Sequence, residues 1–185
     1  MQKGGLHINE EWLSFANDGH RELVETSKTP LHNADGKLIG ILGISHDITK
    51  RKQLEKYEKF RSSTLELLAK NIPLPSILEA IVRGVELLHT DILCSILLLD
   101  KEGKHLVDGV APSLPNFYNH AINGVEIGLG VGSCGTAAFL GQRVVVDDIA
   151  SHAYWVPFAE LAAQAGLGAC WSQPILSSDF QILGT

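Results

Sequence analysis

The sequence predicts an α+β protein: antiparallel strands first, one charged linking helix, then a second antiparallel sheet flanked by helices. Three observations predict it. Between Glu11 and Ile48, apolar and β-branched runs are separated by the turn sequences Asn17-Asp18-Gly19 and Asn33-Ala34-Asp35-Gly36, which join antiparallel neighbours. From Thr49 the pattern becomes charged, with apolar residues at helical spacing. Beyond Pro73, short apolar runs alternate with short helical stretches and glycine-marked turns.

The first strand lies around Trp12, Leu13 and Phe15, the second spans Arg21 to Lys28, and the third spans Leu38 to Ile44, rich in β-branched residues. Three strands without a helix cannot cover their own apolar face, so this block has the pattern of part of a domain. The helix runs from Thr49 to about Ala69, with Leu54, Tyr57, Arg61, Thr64 and Leu68 at alternating three- and four-residue spacing. That stripe suits either a dimerising helix or a solvated linker. Pro73 and Pro75 end it, Ser76 is placed as the cap of a second helix from Ile77 to Leu88, and Ile77, Ile81, Val85 and Leu88 share its face. A hairpin follows, from Ile92 to Leu99 and His105 to Val110, turning at Lys101 to Lys104. A helical stretch covers Pro115 to Ala121. The glycine-rich segment Gly128 to Gly135 then leads into a short helix ending at Gly141, and Val144-Val145-Val146 forms a strand. A helix over Pro157 to Ala165 ends at Gly166, and strands over Leu167 to Leu176 and Gln181 to Thr185 close the sequence.

With 45% hydrophobic and 19% charged residues, the 185-residue chain can bury a core. Fifteen Lys and Arg against 21 Asp and Glu leave a formal charge of -6, which offers no basic field for nucleic acid. The N-terminus lacks the apolar core of a targeting segment, and no run reaches the ~18 apolar residues of a membrane helix. The expected location is cytoplasmic, without membrane contact. Cys94, Cys134 and Cys170 are odd in number and widely spaced, so reduced thiols are expected.

Glu11-Trp12, Asp18-Gly19, Lys28-Thr29-Pro30, Asp35-Gly36-Lys37, Gly40, Gly43-Ile44 and the closing Asp47-Ile48-Thr49 resemble the C-terminal half of a PAS domain. In that family the closing Asp-Ile-Thr couples the sheet to an output helix, so the resemblance makes Asp47, Ile48 and Thr49 candidate relay residues. Gly132-Ser133-Cys134-Gly135-Thr136-Ala137-Ala138, Val146-Asp147-Asp148-Ile149, Trp155, Ala165-Gly166-Leu167, Ala169 to Ile175 and Leu183-Gly184-Thr185 resemble a GAF domain. The implied organisation is a PAS remainder over residues 1–50, a linker helix over 51–74 and a GAF domain over 75–185, truncated at its C-terminal end. Phe180 stands where the resemblance leads one to expect a turn glycine. Such tandems are similar to the input regions of bacterial sensor histidine kinases and of diguanylate cyclases and phosphodiesterases. The resemblance therefore implies a sensory fragment that is not itself an enzyme, a homodimer through the linker helix, and a small-molecule ligand of unknown identity in the GAF pocket. Cys134, Thr136, Trp155, Phe158, Cys170 and Trp171 are the candidate pocket residues.

Gly130 to Gly135 formally matches GxGxxG, but its following helix is short and Asp147-Asp148 comes too early for a dinucleotide fold. Cys134, at a helix start, is the best candidate for a reactive thiol, because unpaired N–H groups there lower a thiol pKa. A similar Gly-x-Cys-Gly-Thr-Ala stretch occurs in free methionine sulfoxide reductases of GAF fold, which makes a thiol-dependent reductase the alternative function. At the place of the second key cysteine this sequence has Tyr154-Trp155. The structural alternative is that Cys134 is a small buried residue and that the aromatics are ordinary core. The eight histidines show no metal-ligand spacing, and adjacent Asp147 and Asp148 suit a turn rather than an acid/base pair.

Overall fold

The computed structural model describes residues 7–185, in two compact units, Met1–Ser63 and Thr64–Thr185. The N-terminal residues read above for a targeting segment lie outside the described residues. Among the latter, no helix is long and apolar enough to cross a membrane.

The first unit contains strands β1 (His7–Ser14), β2 (Arg21–His32) and β3 (Leu38–Asp47) in the order β1-β2-β3, followed by helix α1 (Thr49–Ala69), which continues past the boundary of the unit. Both ladders are antiparallel: Ser14 faces Arg21, and Val24 faces Asp47. Gly19 and Gly36 take positive φ at the two turns that the sequence marks. β2 runs four residues beyond Lys28, through Pro30. Here β1 no longer pairs with it among the described residues, so the missing proline N–H leaves at most one ladder affected. Period-two alternation buries Val24 and Thr26, whereas β3 leaves Ile39 and Ile41 more than half exposed.

The second unit opens with α2 (Leu74–Leu88). Ser76 is not its cap: Pro73 holds that position and Pro75 lies in the first turn, where a missing N–H breaks no intrahelical bond. The face buried is that of Ile77, Leu78 and Val82. The hairpin comprises β4 (Ile96–Leu99) and β5 (His105–Val110). β4 starts four residues later than the apolar run, because the Cys94 N–H donates to the Glu86 carboxylate of α2 instead of to a strand. At the turn, Asp100 accepts the Lys104 and His105 N–H groups, which, with the His105 ring, hold its carboxyl down to about 2.

Helix α3 (Asn116–Ile122) leads to a two-residue strand that the sequence reading misses, β6 (Val125–Glu126). Helix α4 (Gly132–Leu140) ends on Gly141 in the left-handed region, and β7 (Val144–Val146) follows. A 3-10 turn at Ala153–Trp155 precedes α5 (Ala159–Gln164). The run from Leu167 to Leu176 is two strands, not one: β8 (Cys170–Ser172) pairs with β7, and β9 (Ile175–Leu176) pairs with β10 (Ile182–Gly184). The break falls at Gln173-Pro174, where proline has no N–H to continue a ladder. The main sheet has the antiparallel order β6-β5-β4-β10-β9. Its tightest point is Gly184, where a Cβ would collide with the Leu97 carbonyl oxygen of β4.

Three apolar clusters fill this unit. Leu97, Leu106 and Ala138 pack between sheet and α4, Ala111, Leu114 and Tyr118 pack under α3, and Ala137, Val146, Ile149, Trp155 and Ala162 join α4 to β7 and α5.

Candidate functional site

Two places carry the residues that the sequence singles out, one in each unit. In the first, the β2·β3 ladder runs directly into α1. Beyond the Val24–Asp47 pair, the Ile48 N–H donates to the Leu23 carbonyl at 2.8 Å, and the Leu23 N–H donates to Thr49 Oγ1 at 2.8 Å. The central strand is thus gripped through both backbone groups of one residue by the two residues that start the helix. The Asp47 carboxylate accepts the Thr49 N–H at 2.8 Å. The Thr49 hydroxyl, followed by that N–H, holds the exposed carboxyl below its usual range. Ile48 is 5% exposed, so the joint is anchored by apolar burial as well as hydrogen bonds.

Charge reinforces this start. Lys52 Nζ lies 2.7 Å from Glu10 of β1, and Arg51 lies 3.5 Å from Glu25 of β2. Glu10 raises the Lys52 pKa. The pairs are solvent-exposed, so they orient the first helical turn more than they stabilise it. Leu23, Glu10 and Glu25 escape sequence reasoning. Their only signal is acidic residues on strands opposite the basic run Lys50-Arg51-Lys52.

In the second unit the glycine segment folds over the start of α4. The Gly130 N–H donates to Thr136 Oγ1 at 3.1 Å, and that hydroxyl donates to the Gly128 carbonyl at 3.3 Å. Thr136 is fully buried and spends its hydroxyl on this loop. The antiparallel sheet and these internal bonds replace the βαβ context that a dinucleotide site needs.

Beside it, the Trp155 indole N–H donates to Ser133 Oγ at 3.0 Å, and Ser133 Oγ lies 2.9 Å from Cys170 Sγ. Trp155 and Phe158 meet edge to face at 6.4 Å between centroids. The structure therefore brings Trp155, Phe158 and Cys170 together as packed core. Trp171 is on the other face: adjacent strand residues point opposite ways, and it is 57% exposed, with the Arg143 guanidinium 4.8 Å from its ring centroid. Cys134 packs into the neighbouring cluster under the sheet. Burial pushes its thiol up, against the lowering expected from the helix start, and burial also raises Cys170 and Cys94. Ser133, which bridges α4, the 3-10 turn and β8, is the residue that sequence reasoning misses. Its partners lie 22 and 37 positions away, so no local pattern announces it.

The open hollows lie elsewhere. One of about 250 Å³ is lined by Leu97, Asp108, Gly109, Ala111, Asn119, His120, Ile122 and Asn123. An adjacent one of about 330 Å³ shares Gly109, Ala111 and Asn119 with it. No candidate pocket residue lines either hollow.

An antiparallel sheet with a glycine loop folded onto α4 is matched by comparison with known families: residues 71–185 fit the GAF domain model. The chain belongs to the GAF domain family. Ahead of the GAF domain, residues 3–53 match the PAS fold. A methyl sulfide methyltransferase-associated sensor from Methanosarcina acetivorans is 34% identical over 183 residues, 99% of this chain. The chain spans 18% of that relative's length. The crystal structure of a protein described as a GAF sensor, from Burkholderia vietnamiensis, superposes with a TM-score of 0.50 at 21% identity, covering 71% of this chain and 75% of the other. At that identity the likeness speaks for the fold alone. The chain thus has a PAS fold followed by a GAF domain.

Proposed function

We propose that the chain is the sensory input and relay portion of a longer signal-transduction protein, with its output carried by a histidine kinase or a cyclic-di-GMP enzyme. The observation that supports this most is the joint at Leu23. A two-state change in strand β2 would reach the helix start through two hydrogen bonds of Leu23, its carbonyl to the Ile48 N–H and its N–H to the Thr49 hydroxyl. Asp47, Ile48 and Thr49 are the relay residues in this reading, and α1 pairs with its counterpart in a cytoplasmic homodimer. The GAF interior around Cys134, Thr136, Trp155, Phe158 and Cys170 then senses by repacking, since its side chains fill it. Trp171, on the outward face of β8, is free to touch a partner surface.

The thiol-dependent reductase reading loses support from the same residues. Burial raises the Cys134 and Cys170 thiols, so neither is a ready thiolate at neutral pH.

The relay is tested by single cysteines at Leu54, Arg61 and Leu68 in the full-length protein. Disulfide crosslinking between the two helices should change pattern between signalling states. An identical pattern in both states overturns the relay.

A further inference from the structure

The two adjoining hollows of the GAF unit share Gly109, Ala111 and Asn119 and lie apart from the Trp155 cluster. Their wall is a bulge in the sheet. Between the pairs Ile96–Val110 and Leu98–Val107, the single residue Leu97 of β4 faces two residues of β5, Asp108 and Gly109. Asp108 takes φ +50, a left-handed conformation that a carboxamide or carboxylate side chain tolerates better than most. Its N–H is held by Asn123 Oδ1 at 3.1 Å. A side chain at Gly109 would place its Cβ 2.5 Å from the Leu97 side chain, so Leu97 would have to move to admit one.

The polar groups around this bulge include acceptors at Asp108 and Asn119, with the Asn123 amide nitrogen a donor beside them. The Asp108 carboxylate has no ion-pair partner among the described residues. Asn119 lines both hollows, and its amide nitrogen donates to the Ala111 and Leu114 carbonyls at 3.0 and 3.4 Å. Those two carbonyls fix which way round the amide sits. Its Oδ1 is buried without a donor, a state that is costly unless something supplies an N–H or O–H. His120 gives its Nδ1–H to the Asn116 carbonyl at 2.7 Å, because a carbonyl can only accept. Glu79, on the far wall, is paired with Arg83 at 2.8 Å. No Lys or Arg lines either hollow. Leu97, Ala111 and Ile122 supply the apolar part of the wall.

From this set we infer that the hollow beside the Asp108–Gly109 bulge binds a small organic amine. The ammonium pairs with the Asp108 carboxylate, one of its N–H groups reaches Asn119 Oδ1, and a short alkyl portion lies against Leu97 and Ile122. An anion would meet Asp108 and find no cation. The inference rests on the sensory reading of the GAF unit, but binding is measured without reference to the helix, so the two fail separately.

Butylamine, butanol and butyrate are titrated into the whole 185-residue chain and followed by amide NMR. Saturable shifts centred on Asp108, Asn119 and Asn123 are expected with butylamine alone. Asp108→Asn keeps a side chain at ease with positive φ and should weaken butylamine about tenfold or more, the loss expected for a charge-assisted bond. An unchanged spectrum of the variant away from the hollow shows that it is folded. Butyrate or butanol binding as well as butylamine, an affinity within about twofold in the variant, shifts centred elsewhere, or no saturable shift would each overturn the inference.

Discussion

The two units cover their apolar strand residues to different extents. In the first, among the described residues, only Val24, Thr26 and Ile48 are buried, while Ile8, Leu38, Ile39, Ile41 and Ile44 each keep half or more of their surface. In the GAF unit, strands richer in apolar residues lie under α4 and α3, and Val82, Leu106 and Ala137 are almost completely covered. The difference is the number of layers. A sheet buries a face only when another element lies on it. The first unit is therefore held together by its ladders and by the joint at Leu23, and the GAF unit by side-chain packing. The substitutions below should separate these two kinds of stability.

The largest effect is expected where packing dominates. Trp155 is 6% exposed, donates to Ser133 and fills the cluster with Val146, Ile149 and Ala162. Trp155→Ala should cost about 3–5 kcal/mol, from lost transfer energy and the cavity left behind. Urea unfolding should show it as a lower midpoint for the GAF unit, while amide signals of β1 to β3 keep theirs. A loss shared equally by both units would mean that they do not unfold as separate entities.

In the first unit, Ile48→Ala should cost about 2 kcal/mol, the lower end for a buried aliphatic side chain. Native-state hydrogen exchange is the discriminating measurement. The Leu23 and Lys52 amides, bonded to Thr49 and Ile48, should lose protection. Those of β7 and β8 should not. Unchanged protection at Leu23 would show that the joint is held by its hydrogen bonds without the apolar anchor.

Local chemistry explains what was legible in the sequence. The turns at Gly19 and Gly36, the helix start at Thr49 and the stop at Gly141 depend on residues within a few positions, so they could be read directly. The split of the last long run between two sheets could not, because the partner strands, β7 for one piece and β10 for the other, are set by tertiary pairing. The site behaved the same way. Asp47 accepts an N–H only two residues on, whereas the grip on Leu23 spans 26 residues. Strand alternation alone sends Cys170 and Trp171 to opposite faces, so the two do not share one pocket. The helix start would lower the Cys134 thiol, and burial outweighs it. Ser133 carries no local signal because its role depends on Trp155 and Cys170.

The smallest effect concerns a local strain that the sequence did flag. Phe180 has φ +61 in the turn from Ser177 to Gln181, with its ring 83% exposed. The turn is closed by the Ser177 N–H on the Gln181 carbonyl at 2.8 Å and by the Phe180 N–H on the Ser177 carbonyl at 3.1 Å. A left-handed conformation costs a residue with a Cβ roughly 1–2 kcal/mol, and an exposed ring returns little packing energy. Phe180→Gly removes that strain but loosens the unfolded chain, which takes back part of the gain. The net expectation is a stabilisation of up to about 1 kcal/mol, seen as a higher thermal midpoint for the GAF unit and no change in the first. Phe180→Val, which keeps the strain and adds branching at Cβ, should lower the midpoint. If glycine lowered it as well, the Phe180 ring would have to contribute contacts that outweigh its backbone strain, and the turn would be held by its side chain instead of by Ser177.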